Sequence, residues 1–388
     1  MTYLEPGRPD QIAADLRGAF QQRYGAAAAA VGRAPGRVNL IGEHTDYNRG
    51  LVLPLALPHA TYAAAAPRTD GRVRVASLQD DSVWEGTLDE AGPGGPRGWA
   101  TYAAGVLWAL REAGVDLPGA DLLVDGRVPL GAGLSSSAAL ECSVAVAVLA
   151  LAGRDLDAGA RRLVVDACIR AETEVAGAPT GGMDQTVAVL AEEGAALLVD
   201  FDTDESRPVH LDLAGLTLLV TDTRVSHELI DGGYAARRAD CEAAAAELGV
   251  PSLRQADLES VERIGDERVR RRARHIVTET DRVQPVADAL AAGDRDTVER
   301  LFALSHASMR DDFEISCDEL DAAVAVAVEA GAVGARMTGG GFGGSSVAIV
   351  PDERVEAVMR AIDTEFALRG FATPAHLRAE PSAGAGLV

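Results

Sequence analysis

This sequence predicts a protein of mixed α and β structure in two lobes, on three observations. The chain has 388 residues, enough for two domains with sizeable cores. Helical spacing and short alternating strands interleave along its length. Near Asp200 the pattern changes to loops bearing Asp and Pro, followed by the strand-like Leu216 to Thr221. A boundary there gives an N-terminal lobe over 1–201 and a C-terminal lobe over 202–388.

Asp10 to Gly25 predicts an amphipathic helix: Ile12, Leu16 and Phe20 recur every four residues, Asp10 caps the start and Gly25 ends it. Short strands then flank a polar loop, Gly36 to Gly50, in which Glu43, His44 and Asp46 crowd into four positions. That hydrogen-bonding capacity fits a metal site, a hairpin turn ending at Asn48 and Gly50, or a site for a polyhydroxylated ligand. The last accounts best for the acids, because carboxylates accept from sugar hydroxyls and an imidazole adds a contact. Arg37, at the head of the segment, is either a surface arginine or a permanent cation aimed at phosphate. Residues 57–88 alternate as short strands, and Ala91 to Gly98 is a loop by composition. The helical pattern resumes at Trp99, which suits either a core position or the flank of a flat ligand such as adenine.

The densest stretch is Pro129 to Ser143, PLGAGLSSSAALECS. Gly131, Ala132, Gly133, Leu134, Ser135, Ser136, Ser137 and Ala138 form a glycine-rich loop that runs into an apolar helix reaching Ala152. Unpaired N–H groups, the positive end of the helix dipole and glycines that admit an anion make such a junction a phosphate cradle. Serine hydroxyls there can bind phosphate oxygen or Mg²⁺. A serine N-cap on a core helix fits the same residues. Ala160 to Val175 predicts a helix with Glu172 near its end. Gly177 to Gln185 breaks it, and leaves Asp184 after Gly181 and Gly182 as either a helix N-cap or a carboxylate at a pocket rim. Tyr234 to Leu248 predicts a polar helix, and the arginine-rich run Arg268 to Arg274 a solvated helix face. Glu319 to Gly334 predicts a helix of small apolar residues. In Met337 to Ser346, five of the six residues 339–344 are glycine, which implies close backbone approach. Pro381 to Val388 predicts a loose tail.

Composition narrows the classes. Net charge is −23, from 36 basic and 59 acidic residues, which opposes nucleic acid and anionic membrane as partners. Every basic residue is arginine. Without lysine, neither a P-loop NTPase nor a protein kinase can be built, so any use of ATP needs another architecture. Cys142, Cys168, Cys241 and Cys317 lie far apart, without a C-x-x-C pair, and fit a reducing, cytoplasmic setting. The first residues lack a signal-peptide pattern, and the longest apolar run is too short to span a bilayer comfortably. A serine hydrolase is disfavoured, because no G-x-S-x-G elbow surrounds Ser135 to Ser137.

Taken in order, GRVNLIGEHTDYN, PLGAGLSSSAA, GMDQ and TGGGFGGSS resemble the galactokinase branch of the GHMP small-molecule kinase superfamily over nearly the whole chain. The resemblance implies an α+β, two-lobed fold with the active site in the cleft. Its N-terminal lobe would be like the second domain of ribosomal protein S5, and its C-terminal lobe ferredoxin-like. It implies a cytoplasmic monomer or dimer that phosphorylates the C1 hydroxyl of D-galactose from ATP with Mg²⁺. ATP phosphates would lie over residues 131–138, with the 339–344 loop packed against them. Ser137 or Ser136, with Glu172, would hold Mg²⁺; Glu43, His44, Asp46, Gly181 and Tyr234 would hold the sugar. Asp184 would face the C1 hydroxyl with Arg37 beside it. A kinase for a related sugar such as N-acetylgalactosamine or L-arabinose, and a non-catalytic galactose sensor, are the alternatives; the intact Ser137-Ala138 pair and Asp184 oppose the sensor. Two departures from the family wording stand out, Thr180-Gly-Gly-Met183 and the segment Asp222 to Asp231 near Tyr234.

Overall fold

The computed structural model describes residues 2–225 and 230–388. Its largest sheet has six strands in the order Gly386–Leu387, Ala30–Asn39, Pro54–Arg68, Gly119–Gly126, Arg72–Ser77 and Trp84–Thr87. Side chains alternate across this sheet, as the strand period demands. Ala60, Tyr62, Ala64 and Leu123 meet Ile12, Leu16 and Phe20 of the helix Pro9–Tyr24. Ala63, Ala65, Leu122 and Val124 meet the helices Ala100–Glu112, Ser136–Leu151, Ala158–Arg170 and Met183–Leu190. The helix Ser136–Leu151 is buried almost all round and lies directly on the sheet. A Cβ at Gly32 would stand 2.1 Å from the Ser143 carbonyl, so glycine there permits the approach.

The second sheet has five strands in the order Thr2–Tyr3, Ala375–Arg378, Leu216–Asp222, Ser345–Pro351 and Gly334–Thr338. The helices Asp318–Glu329 and Val355–Arg369 cover one face. Glu267–Ala292 and Arg295–Asp311 cover the other, and there share a core with Val38 and Leu55 of the first sheet's strands and with Leu53 beside them. In a small third sheet Ala195–Asp200 lies between Leu51–Val52 and Glu205–His210, antiparallel to both.

Several local expectations are corrected. Asp10 does not cap its helix: the N-cap is Arg8, without a side-chain bond, and Asp10 sits in the first turn; Gly25 closes the helix in a left-handed conformation, φ 71°. The helix expected to reach Gly334 stops at Glu329, and Gly334 opens a strand. Residues 381–388 are not loose. Gly386–Leu387 pairs with Arg33 and Gly32, Ala385 is buried, and Arg161 and Arg33 donate to the carbonyls of Ala385 and Ala383. The arginine run is a solvated face only in part: Arg268 is exposed, but Arg272 turns inward. The helix Glu267–Ala292 packs against Ile230–Leu248, which carries Asp240 inward, so Arg272 is buried and ion-paired to Glu314 while Arg268 pairs with Asp240 at 2.9 Å. Trp99 packs on the core below the first sheet and donates to Ser82 Oγ at 3.0 Å. Among the described residues no helix is long and apolar enough to cross a membrane.

Candidate active site

A register shift between Pro35 and Arg37 breaks the ladder of the strand Ala30–Asn39 and re-aims the Arg37 side chain. Its guanidinium donates to the Gly133 carbonyl at 2.6 Å and meets both oxygens of Asp184 through Nη2, at 2.8 and 3.0 Å. Ser135 Oγ donates to the same carboxylate. Asp184 lies in the first turn of Met183–Leu190, whose N-cap is Gly182, so the N-cap alternative for Asp184 is replaced by a carboxylate held between an arginine and a loop serine.

The serine alternatives separate here too. Ser135 occupies the N-cap position of Ser136–Leu151 in a left-handed conformation, φ 59°, and makes no side-chain cap bond. Its hydroxyl serves Asp184 instead, which leaves the first amides of the helix uncapped by it. Ser137 Oγ donates to Glu172 Oε1 at 3.0 Å. Glu172 sits in a π-turn, Ala171–Val175, that continues Ala158–Arg170. Burial, and then the charge of Asp184, push Glu172 up to about 7. A buried carboxylate beside a hydroxyl, with the Asp184 charge nearby, is a hard-oxygen pair that fits Mg²⁺, which takes few protein ligands and keeps water and phosphate for the rest. No cluster of three His, Cys, Asp or Glu able to hold a metal occurs among the described residues.

Asp46, near Asp184, opens a short 3₁₀ turn, Asp46–Asn48. Burial and the nearby Asp184 push its carboxyl up to about 6. Gly181 lies against it: a Cβ at 181 would stand 2.1 Å from Asp46 Oδ2. His44 uses both ring nitrogens, Nε2 on the Gly340 carbonyl at 3.1 Å and Nδ1 on Tyr47 Oη at 2.8 Å. Because a carbonyl only accepts, Nε2 carries the proton and Nδ1 accepts from Tyr47; burial holds the ring neutral, its pKa pushed down to about 3. The Tyr234 ring, on Ile230–Leu248, lies 5.1 Å from that of His44. Residues 226–229, inside the departing segment Asp222 to Asp231, lie outside the described residues.

Glu43 stands differently from its neighbours. Its carboxylate is buried, accepts from Arg336 and takes the Gly339 N–H at 3.2 Å. Arg336 also meets Glu279 at 3.1 Å and the Leu40 carbonyl at 2.9 Å, and Glu279 accepts from the Gly42 N–H at 3.0 Å. Arg336 and Glu279 were not singled out from sequence; the available signal was an arginine inside an otherwise apolar strand. The glycine loop completes the contact between the halves. Ser345 Oγ donates to the Ala132 carbonyl at 2.7 Å, and a Cβ at Gly339 would stand 2.9 Å from the Gly133 carbonyl. The 339–344 loop therefore approaches the serine loop closely, as its glycines imply, and its Gly340 carbonyl also meets His44, which the sequence did not indicate.

Residues 18–67 match the model described as the galactokinase galactose-binding signature, residues 101–192 the GHMP kinases N-terminal domain and residues 286–368 the GHMP kinases C-terminal domain. A galactokinase of Streptomyces coelicolor is 49% identical over 387 residues, covering 97% of this chain and 98% of the relative. One from Canis lupus familiaris is 41% identical over 94% of this chain and 95% of its own. The crystal structure of Lactococcus lactis galactokinase complexed with galactose superposes with a TM-score of 0.91 at 31% identity, over 97% of this chain and 99% of that one. A mevalonate kinase structure at 15% identity, TM-score 0.64, covering 87% of this chain and 96% of its own, shares the fold. Signature, relatives and architecture agree from one end of the alignment to the other, and the chain belongs to the galactokinase family within the GHMP kinases.

Proposed function

We propose that this chain transfers the γ-phosphoryl group of ATP to the C1 hydroxyl of D-galactose, releasing ADP and galactose 1-phosphate. The observation that carries this reading is the junction of Arg37, Asp184 and Ser135, where the sugar segment, the serine loop and the helix Met183–Leu190 converge. Asp46 and Tyr234, both partly exposed, offer an acceptor and a phenol to sugar hydroxyls; Gly181 lies against Asp46, while Glu43 and His44, whose polar atoms are already engaged, back that wall from inside. The nucleotide phosphates lie over residues 131–138, against the uncapped amides of the helix start. Glu172, with Ser137 or Ser136, would hold Mg²⁺, which when bound would supply positive charge to those phosphates. Asp184 orients the C1 hydroxyl and receives its proton as the new oxygen–phosphorus bond forms and the bond to the departing ADP breaks. Arg37 offsets the charge that spreads over the transferring group.

The test is ADP release with Mg-ATP against D-galactose, 2-deoxygalactose, N-acetylgalactosamine, L-arabinose, D-glucose and no sugar. Turnover with galactose and its 2-deoxy analogue alone is expected. Turnover chiefly with another sugar overturns the substrate, and galactose binding without turnover overturns the enzyme reading.

The fit of Gly181 to Asp46 yields a second expectation. Gly181→Ala forces Asp46 to move, because the added carbon overlaps its carboxylate. The KM for galactose should rise roughly ten- to hundredfold, the scale of a modest steric insertion. The KM for ATP should stay close to the parent, and equal rises in both would remove Gly181 from the sugar wall.

A further inference from the structure

Gln185 is fully buried and follows Asp184 on the helix Met183–Leu190. Its amide nitrogen has two hydrogens, and both are used on carboxylates. One goes to Glu172 Oε2, the other to Glu141 Oε2 at 3.2 Å. Glu141 is also fully buried, one turn beyond Ser137 on the helix Ser136–Leu151. That helix therefore presents Ser137 and Glu141 on one side. Ser137 fixes one oxygen of Glu172 and Gln185 the other. The result is a ring through three elements: Ser137, Glu172 on its π-turn, Gln185 and Glu141, closed by the backbone of the Ser136–Leu151 helix.

A core position of this depth is ordinarily apolar, and a buried acid bonded only to an amide is costly there. Nothing in the packing of Ser136–Leu151 requires an acid at 141, since its neighbours are Ala, Cys, Ser and Val. What the acid does is orient the Gln185 amide, so that its N–H groups rather than its carbonyl face Glu172. A carbonyl turned toward Glu172 would repel the carboxylate and leave its second oxygen without a donor. The helix turn that aims Asp184 at Arg37 thus also fixes the carboxylate beside Ser137.

We infer that Gln185, anchored by Glu141, is a positioning residue that sets the Glu172 carboxylate for the divalent cation accompanying the nucleotide. The inference rests on the proposed assignment of Glu172 and Ser137 as cation ligands. Outer partners of a ligating carboxylate typically matter ten- to a hundredfold in metal affinity.

The test titrates Mn²⁺ into the full chain with saturating ADP, follows bound Mn²⁺ by electron paramagnetic resonance, and compares the parent with Gln185→Asn, Gln185→Leu, Glu141→Gln and Glu172→Gln. Gln185→Asn keeps polarity and is too short to bridge both acids; Gln185→Leu removes the donor outright. Both should weaken Mn²⁺ binding roughly ten- to a hundredfold. They should raise the Mg²⁺ concentration for half-maximal turnover in parallel, with the KM for galactose close to the parent. Glu141→Gln retains an acceptor for the amide and should stay near the parent. Folding is checked by circular dichroism, and Gln185→Asn is the deciding variant. Parent-like Mn²⁺ affinity in folded Gln185→Asn, with affinity lost in Glu172→Gln, overturns the inference and leaves the cation site standing. Parent-like affinity in Glu172→Gln overturns the cation assignment, and the inference with it.

Discussion

Asparagine at position 184 is expected to lower kcat by about a thousandfold, within the range for losing a positioned proton acceptor in a site that works by charge and placement. The substitution keeps size and one oxygen. Arg37 retains the Gly133 carbonyl at 2.6 Å, so the strand and the serine loop stay joined. What disappears is the charge that faces Arg37 at 2.8 Å and the acceptor for the C1 proton. The KM for ATP should move little, because the nucleotide is held by the loop and helix start rather than by Asp184. Measurement is steady-state ADP release at saturating galactose and Mg-ATP, beside a thermal midpoint. A well-folded Asp184→Asn protein with parent kcat would remove Asp184 from the chemistry.

The second large effect is on stability. Arg336→Met preserves length and apolar bulk while removing the guanidinium from the Glu43, Glu279 and Leu40 contacts. Glu279 is fully buried, and burial alone would push its carboxyl up. Arg336 and Arg282 outweigh that and hold it down at about 2. Removing one member of a buried ionic group leaves uncompensated charge, and costs about 3–5 kcal/mol. For a protein of this size the thermal midpoint should fall on the order of 10 °C. Loss of activity should accompany it even below that midpoint, because Glu43 also holds the Gly339 amide and so the glycine loop. A midpoint within about 2 °C of the parent would show that the substituted side chain is accommodated without unpaired charge.

Arg37, Ser137 and Asp184 stood out as candidates in the sequence because each sits in a short contiguous pattern: Arg37 before the acid-rich loop, Ser137 at a helix start, Asp184 after paired glycines. The choice between ligand and cap was not. Whether Ser135 caps its helix or serves a carboxylate depends on Asp184, 49 positions away. Glu43 and Arg336 are 293 positions apart, and no local pattern marks one as the partner of the other. Arg272 misled for a related reason. A run of arginines reads as solvated until Asp240 and Glu314 are brought against it from other elements. Residues 381–388 misled because they are held largely through backbone groups, to which side-chain composition is nearly blind.

Thr2–Tyr3 completes the edge of the sheet built mostly from residues after 215, beside Ala375–Arg378, while Gly386–Leu387 completes the edge of the sheet built mostly from residues before 127. A ribosome extruding this chain therefore cannot finish either sheet in the order of synthesis. The early dipeptide waits for a partner made hundreds of codons later, and the first large sheet keeps Ala30–Asn39 open along one edge until 386–387 emerge. Closure of both edges is a late event of long sequence separation, the kind that slows folding and leaves strand edges open meanwhile.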